Sequence, residues 1–251
     1  MEAFDLTGKL ALVTGGGSGL GYGIAEVLVK AGARVVIVGQ NMEKLQKAQA
    51  SLGESCQYVC LDITCLDEIP PMVDQVETEI GPIDILVNNA GKHLKKPLVD
   101  TTDAEYLSIL QVHLLASFAL TREVGKRMMV RGGGSIVLIS SMTAVMSMDR
   151  VVAYSTAKMA VLGLMRGALA EFAASNVRIN SIAPGWIDTP MLHVAIDADA
   201  ARKQRITNRI PSHRFGLPED IGYAVLYLCS GAGKYVNGIF LPVDGGAASG
   251  F

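Results

Sequence analysis

Apolar positions along the chain fall into two alternating kinds of run. Short stretches rich in β-branched residues recur at 10–13, 35–38, 58–61, 83–87, 136–139, 177–182 and 239–243. They are continuous rather than alternating, which predicts strands buried on both faces. Between them, apolar residues return at three- and four-residue spacing, as in Ile24, Val27, Leu28 and Ala31, or Tyr106, Ile109, Leu110, His113 and Leu114; that period predicts helices. Seven buried strands alternating with helices call for one doubly wound α/β domain over 1–251, a parallel sheet (Rossmann fold) covered on both faces. The punctuation agrees: Asn41, Thr102 with Asp103, and Pro218 stand where helices start, Gly32 where the first one ends, and Gly132-Gly133-Gly134 at a helix-to-strand turn. The segment 191–214 is too long for an ordinary connection and mixes apolar with polar residues, so it is expected to form a partly helical substrate lid.

Composition narrows the partners. The chain has 251 residues, 50% of them hydrophobic, and a net charge of -2. Without a basic field or a run of Lys and Arg, no nucleic-acid partner is expected. The first residues lack a basic start and a long apolar stretch, and nowhere do eighteen apolar residues run together, which predicts a cytoplasmic protein with no membrane partner. Cysteines at 56, 60, 65 and 229 and histidines at 93, 113, 193 and 213 show no spacing suited to a disulfide framework or a metal, so none is expected.

The chemistry begins where the first strand runs into Thr14-Gly15-Gly16-Gly17-Ser18-Gly19-Leu20-Gly21 and a helical pattern starts at once. Glycines let the backbone turn sharply and approach a pyrophosphate, and the free N–H groups of the helix N-terminus stabilise its charge. A glycine-rich turn without a ligand is the blander alternative; the position at a first strand-to-helix junction favours a dinucleotide. Further along, Tyr154 and Lys158 stand four apart on a predicted helix, so they share a face and the ammonium can favour the ionised phenol. A free phenol, with a pKa near 10, needs such a neighbour to act as a base at neutral pH. Ser140 and Ser141 lie at the carboxyl end of the fifth strand, the side of such a sheet that lines the ligand crevice.

The T-G-x-x-x-G-x-G spacing, Asp62-Ile63 after the third strand, Asn88-Asn89-Ala90-Gly91 after the fourth, Tyr154 to Lys158, and Pro184-Gly185-Trp186-Ile187-Asp188-Thr189 after the sixth occur in the order found in one family. Along nearly its whole length the chain resembles the short-chain dehydrogenases/reductases. That resemblance implies hydride transfer between NAD(P) and a secondary alcohol or ketone. Tyr154 would be the acid/base, Ser141 rather than Ser140 would bind the reacting oxygen, and Lys158 would tune Tyr154 and hold the nicotinamide ribose. It further implies cofactor contacts at Gly15, Ser18, Gly19, Leu20 and Gly21. Asp62 and Ile63 would meet adenine, Asn89, Ala90 and Gly91 would support the cofactor, and Pro184, Gly185, Ile187 and Thr189 would meet the carboxamide.

One element departs from the family. Where relatives carry a relay asparagine, this chain has His113 in Gln111-Val112-His113-Leu114-Leu115. A packed histidine is the blander alternative; its location suggests a partial role in proton relay, since imidazole both accepts and donates. The choice between NAD and NADP rests on Gly39-Gln40-Asn41 after the second strand, which offer neither the acid that binds a ribose hydroxyl nor the arginine that binds a 2′-phosphate. Gln40 can satisfy a hydroxyl, whereas a phosphate without a cation is poorly compensated, so NAD is favoured and dual use stays open.

The expected substrate contacts are Ser141, His93, Thr143 and Trp186, a polar and cationic set with one large aromatic. Over Asn88-Asn89-Ala90-Gly91, Lys96-Pro97-Leu98, Val236-Asn237-Gly238 and Val243-Asp244-Gly245-Gly246 the chain looks like family members acting on sugar acids and polyols, such as the gluconate 5-dehydrogenases. A 3-oxoacyl carrier-protein reductase is the alternative, favoured by any basic patch beside the entrance, and a non-catalytic dinucleotide sensor is a third. Family relatives are mostly tetramers, which implies a homotetramer joined through Met159, Val161, Leu162, Leu164 and Met165 and through the C-terminal tail.

Overall fold

The computed structural model of the chain describes residues 2–190, 192–193 and 200–249. Seven strands form one sheet: β1 Leu10–Thr14, β2 Arg34–Gly39, β3 Cys56–Cys60, β4 Ile85–Asn88, β5 Gly134–Ile139, β6 Val177–Pro184 and β7 Phe240–Val243. Their order is β3-β2-β1-β4-β5-β6-β7, and every neighbouring pair is parallel. The strands read from the hydrophobic pattern are all present, with ends displaced by two residues at most. Val13 pairs with Ile37 on one side and Val87 on the other. At β1 the winding reverses, and the carboxyl ends of β1 and β4 part to leave a crevice.

The pleat sorts the core into two layers. Ala11, Val13, Val35, Ile37, Val87 and Val137 meet helices α1 Gly19–Lys30 and α2 Met42–Leu52, together with a last helix from Pro218 to Cys229. Leu10, Leu12, Val36, Val38, Leu86 and Leu138 point the other way. They meet α3 Ile69–Glu79, α5 Ala116–Arg131 and α6 Val152–Phe172. Alternate residues of one strand thus serve opposite faces, which is why the runs are continuously apolar. Asn41 caps α2 by accepting from Lys44 N–H at 2.9 Å, and Thr102 with Glu105 forms a capping box for α4 Asp103–Leu110.

Between α4 and α5 the helix takes one π-helical turn, Gln111–Leu115. The continuous segment 103–131 is long and apolar enough to cross a membrane by length and composition alone. Here it lays Ala116, Ala119, Leu120, Val124 and Met128 against the sheet. Within 191–214, positions 191 and 194–199 lie outside the described residues. The remainder holds α7 Ala200–Arg209, and Ile206 and Ile210 pack with Met142 and Ala247. The final helix, α8 Pro218–Cys229, crosses α1 closely. A Cβ at Gly222 would lie 2.6 Å from Val27 Cγ2 and 3.0 Å from the Gly23 carbonyl oxygen. Gly222→Ala is therefore expected to lower stability by about 1–3 kcal/mol through overpacking, measured as a lowered urea midpoint with unchanged slope.

Candidate active site

The crevice between β1 and β4 is built around Thr14. Its hydroxyl accepts from the backbone N–H groups of Asn89 and Ala90 at 3.0 Å each, and Asn89 Nδ2 donates to the Thr14 carbonyl at 2.9 Å. The glycine turn and the 88–91 segment are thereby one unit. Gly15 and Gly19 adopt φ of +68° and +54°, the left-handed conformation that glycine takes at least cost. Ser18 stands at the N-cap of α1 and makes no side-chain capping bond, so the first N–H groups of the helix are open to an acceptor. A methyl group at Gly19 would lie 3.8 Å from Thr189, so the glycine turn faces the segment after β6. That segment is itself fixed: Asp188 N–H donates to the Gly216 carbonyl at 2.7 Å, and Ile187 is 8% exposed.

At the outer end of the crevice, Ile63 is buried, Asp62 accepts from Thr64 N–H at 2.9 Å, and Gln40 is exposed. Uncapped N–H groups, a glycine turn and a facing Thr189 fit a dinucleotide diphosphate with the nicotinamide toward β6. Lys44, which the sequence reasoning did not single out, lies under the same turn: a methyl group at Gly17 would be 3.4 Å from its Cβ. The signal was available, because a cap at Asn41 places residue 44 in the first turn of α2.

Four side chains surround the phenol of Tyr154. Ser141, beyond the end of β5, stands close enough for its hydroxyl to favour the ionised phenol. Lys158 Nζ lies 5.5 Å from the ring centroid. The His93 ring stacks on it at 4.5 Å and 14°, and the His113 ring meets it edge-on at 5.3 Å and 87°. Ser141 also accepts from the Thr143 hydroxyl at 3.0 Å, while Ser140 donates to the Lys158 carbonyl at 2.8 Å and so ties α6 to β5. Trp186 is half-buried and packs with Met142, Met146 and Met148, forming an apolar wall beside Ser141.

Burial governs the titration of this cluster. It pushes the Tyr154 phenol above its ordinary value, with the Ser141 hydroxyl opposing, and it pushes the Lys158 ammonium down to about 7. The sequence-based expectation was a phenol lowered by Lys158. In this geometry Lys158 donates instead to the Ile139 carbonyl at 2.7 Å, and desolvation outweighs its charge.

His113 is 3% exposed. Its Nε2 lies 2.8 Å from the Lys92 carbonyl and 3.2 Å from the Lys92 N–H. One nitrogen cannot serve both, and the shorter contact assigns it as a donor to the carbonyl. Nδ1 is then a bare acceptor, buried and without a partner among the described residues. Burial, followed by the charge of Lys158, pushes the imidazole down to about 3. It is therefore neutral at physiological pH, and a relay through its protonated form is disfavoured. Sequence reasoning did not find the π turn that carries it, since a single such turn has no composition signature.

Residues 15–248 match the family model described as Enoyl-(Acyl carrier protein) reductase. The chain is 34% identical to the 2-dehydro-3-deoxy-D-gluconate 5-dehydrogenase of Escherichia coli K12 over 98% of both chains. It is 36% identical to the D-threitol dehydrogenase of Mycolicibacterium smegmatis over 97% of this chain and 94% of that one. Among solved structures, a gluconate 5-dehydrogenase from Burkholderia cenocepacia in complex with NADP and tartrate is similar at a TM-score of 0.94 and 32% identity, covering 100% of this chain and 99% of that one. The chain belongs to the short-chain dehydrogenase/reductase family. It is an NAD(P)-dependent oxidoreductase acting on CH–OH groups. The lean toward NAD finds no support in these relatives, since the Burkholderia enzyme carries NADP.

The buried Lys158 makes a stability prediction with a definite sign. Its folded pKa of about 7 lies below the ordinary amine value of 10.5, so the folded state is penalised fully below pH 7 and progressively less as pH rises toward 10.5. Lys158→Met is expected to raise the thermal midpoint below pH 7, by roughly 2–4 °C per kcal/mol released, with the gain vanishing near pH 10.5. A calorimetric series over pH measures it.

Proposed function

We propose that this enzyme interconverts a secondary alcohol and a ketone on a sugar acid or polyol, with Tyr154 as the acid/base. The observation that carries this reading is the setting of Tyr154: Lys158 Nζ at 5.5 Å from its ring, the Ser141 hydroxyl favouring its ionised form, and an uncapped helix N-terminus across the crevice. The substrate class rests on His93 stacked on that phenol, on the exposed Lys92 next to it in the chain, and on the relatives, which include a sugar-acid dehydrogenase, a polyol dehydrogenase and an enzyme solved with tartrate.

In the oxidation direction Ser141 donates to the substrate oxygen and holds it at the phenol. Tyr154 removes the hydroxyl proton as the carbinol hydrogen leaves as hydride. Protonated Lys158 lies on the same helix face and stabilises the phenolate that accepts this proton, leaving Tyr154 as the neutral phenol. Thr143 holds the Ser141 hydroxyl in place through its 3.0 Å hydrogen bond. The nicotinamide, when bound, supplies the hydride acceptor or donor. Gly15, Ser18, Gly19, Leu20 and Gly21 would hold its diphosphate, Asp62 and Ile63 the adenine side, Asn89, Ala90 and Gly91 the central part, and Pro184, Gly185, Ile187 and Thr189 the carboxamide. The 191–214 segment would close over the substrate as a lid, with Ile206 and Ile210 anchoring it on Met142.

For the cofactor, Lys44 beneath the glycine turn offers the cation that Gln40 lacks, which supports use of NADP. Assembly as a homotetramer is supported by a groove between α5 and α6 lined by the exposed Phe118 and by Leu164, and by the exposed Met159 on α6. Val161, Leu162 and Met165 are core residues, so Met159 and the half-buried Leu164 are what α6 can offer a partner.

Tyr154→Phe is expected to lower kcat about 10²–10⁴-fold while nicotinamide cofactor binding, followed by fluorescence, is retained. A non-catalytic sensor would be indifferent to the change. Turnover of a 3-oxoacyl carrier-protein thioester in preference to sugar acids and polyols would favour the carrier-protein reductase instead. Lys44→Ala is expected to raise the KM for NADP about 10-fold relative to NAD, and equal effects on the two would remove Lys44 from the cofactor site.

A further inference from the structure

The reaction assigned to Tyr154 needs only one oxygen of the substrate, yet the groups packed around the phenol go further. His113 does not reach outward. Its Nε2–H is spent on the Lys92 carbonyl at 2.8 Å, its ring edge abuts Tyr154 at 5.3 Å, and its position is backed by Gly91, where a Cβ would come within 2.2 Å of Cε1. The consequence is a rigid connection from the acid/base residue to the backbone of the loop above it. That loop presents His93, face to face with the Tyr154 ring at 4.5 Å, and Lys92, exposed to solvent.

Charge on the neighbouring segments is largely neutralised. Lys96 is paired with Glu105 at 2.9 Å, Arg150 with Asp149 at 3.4 Å and Arg214 with Asp220 at 3.3 Å. Lys92 has no carboxylate within ion-pair distance among the described residues. Its charge nonetheless reaches the site, because it contributes, with Lys158 and His93, to holding His113 neutral. A cation fixed by its backbone, next in sequence to the His93 that stacks on the acid/base residue and lacking a carboxylate partner among the described residues, is suited to a carboxylate carried by the substrate.

We propose that Lys92, held in place by the His113 hydrogen bond to its carbonyl, binds the carboxylate of the substrate and so makes the enzyme select sugar acids over neutral polyols. This rests on the sugar-acid or polyol reading above and chooses within it. His113 is on this account a positioning residue: it replaces the relay asparagine of relatives with a strut between the specificity loop and Tyr154.

The test compares a sugar acid with the polyol of the same carbon chain, using wild type, Lys92→Met and His113→Asn. Lys92→Met is expected to raise the KM for the acid roughly 10- to 100-fold, the range for losing one charge-assisted hydrogen bond, with kcat and all polyol parameters unchanged. Raising the salt from 50 to 500 mM should raise the acid KM of wild type but not of the variant. His113→Asn should move the acid-to-polyol KM ratio in the same direction and leave the pH dependence of kcat in place. Equal losses on acid and polyol, or no change on the acid, overturn the proposal. Wild type that turns over polyols but no acid also overturns it while leaving the broader reading intact; wild type inactive on both sinks the two together. A Lys92→Met loss confined to a carrier-protein thioester would make the loop a docking site for an acidic protein and overturn the small-acid assignment. Lys92 is exposed, so its variant folds and decides the matter even where His113→Asn does not.

Discussion

The site depends on a clamp across the divide of the sheet. β1 and β4 are neighbours whose onward connections leave in opposite directions, and their ladder ends at the Val13–Val87 pair. Thr14 and Asn89 hold the carboxyl ends together beyond it with a hydroxyl that accepts two backbone N–H groups and an amide that returns to the Thr14 carbonyl. Three part-buried hydrogen bonds, each worth about 1 kcal/mol net, are a small part of folding but carry the registration past the last ladder pair. On one side of the clamp stands the uncapped helix of the glycine turn; on the other, the 88–91 segment continues into Gly91, Lys92 and His93. The cradle and the substrate loop are therefore two ends of one tied element.

Electrostatically the reaction centre is arranged against its own resting comfort. Lys158 and His113 are buried and Tyr154 is half-buried between them, and desolvation disfavours the charged form of each, raising the phenol and depressing the ammonium and the imidazolium. An amine with a pKa of about 7 carries its charge only part of the time at neutrality, when it can donate to the Ile139 carbonyl in either state. Such a cluster costs stability and supplies sensitivity, because a modest change in polarity beside it moves the phenol and the amine in opposite directions. The sheet around it has no comparable burden: both faces of β1, β4 and β5 are closed by aliphatic residues, which allows the polar cluster to sit at their ends.

Much of this was legible in the sequence because the pattern and the motifs report different things. Runs apolar on both faces identified the strands and the parallel sheet. The glycine turn, Tyr154 with Lys158, and Ser141 identified the reaction, since each has a fixed spacing imposed by one strand end or one helix face. What could not be read depends on contacts between distant segments. Nothing in the order of residues says that His93 stacks on Tyr154 or that His113 bonds to Lys92, because both pairs form only when a loop and two helices meet. The pKa direction of Tyr154 was misjudged for a similar reason: the helical spacing gives proximity to Lys158, while burial, which decides the sign here, is a property of the folded whole. Lys44 belongs to no motif, and it reaches the glycine turn only because α2 starts directly after β2 and brings its first turn back under residue 17.

The exchange of an asparagine for His113 changes both the packing and the chemistry beside Tyr154. An imidazole is larger than an amide, and space for it is found in two places: residue 91 has no side chain to oppose the ring, and the helix widens into a π turn over 111–115. The added reach is what carries Nε2 to the Lys92 carbonyl, a bond that fixes the loop next to the phenol. A group that lies against the acid/base residue, stays neutral and grips the neighbouring backbone is well placed to hold shape and poorly placed to carry charge. The departure from the family's usual residue is therefore better understood as moving a function from proton transfer toward the placement of the loop that meets the substrate.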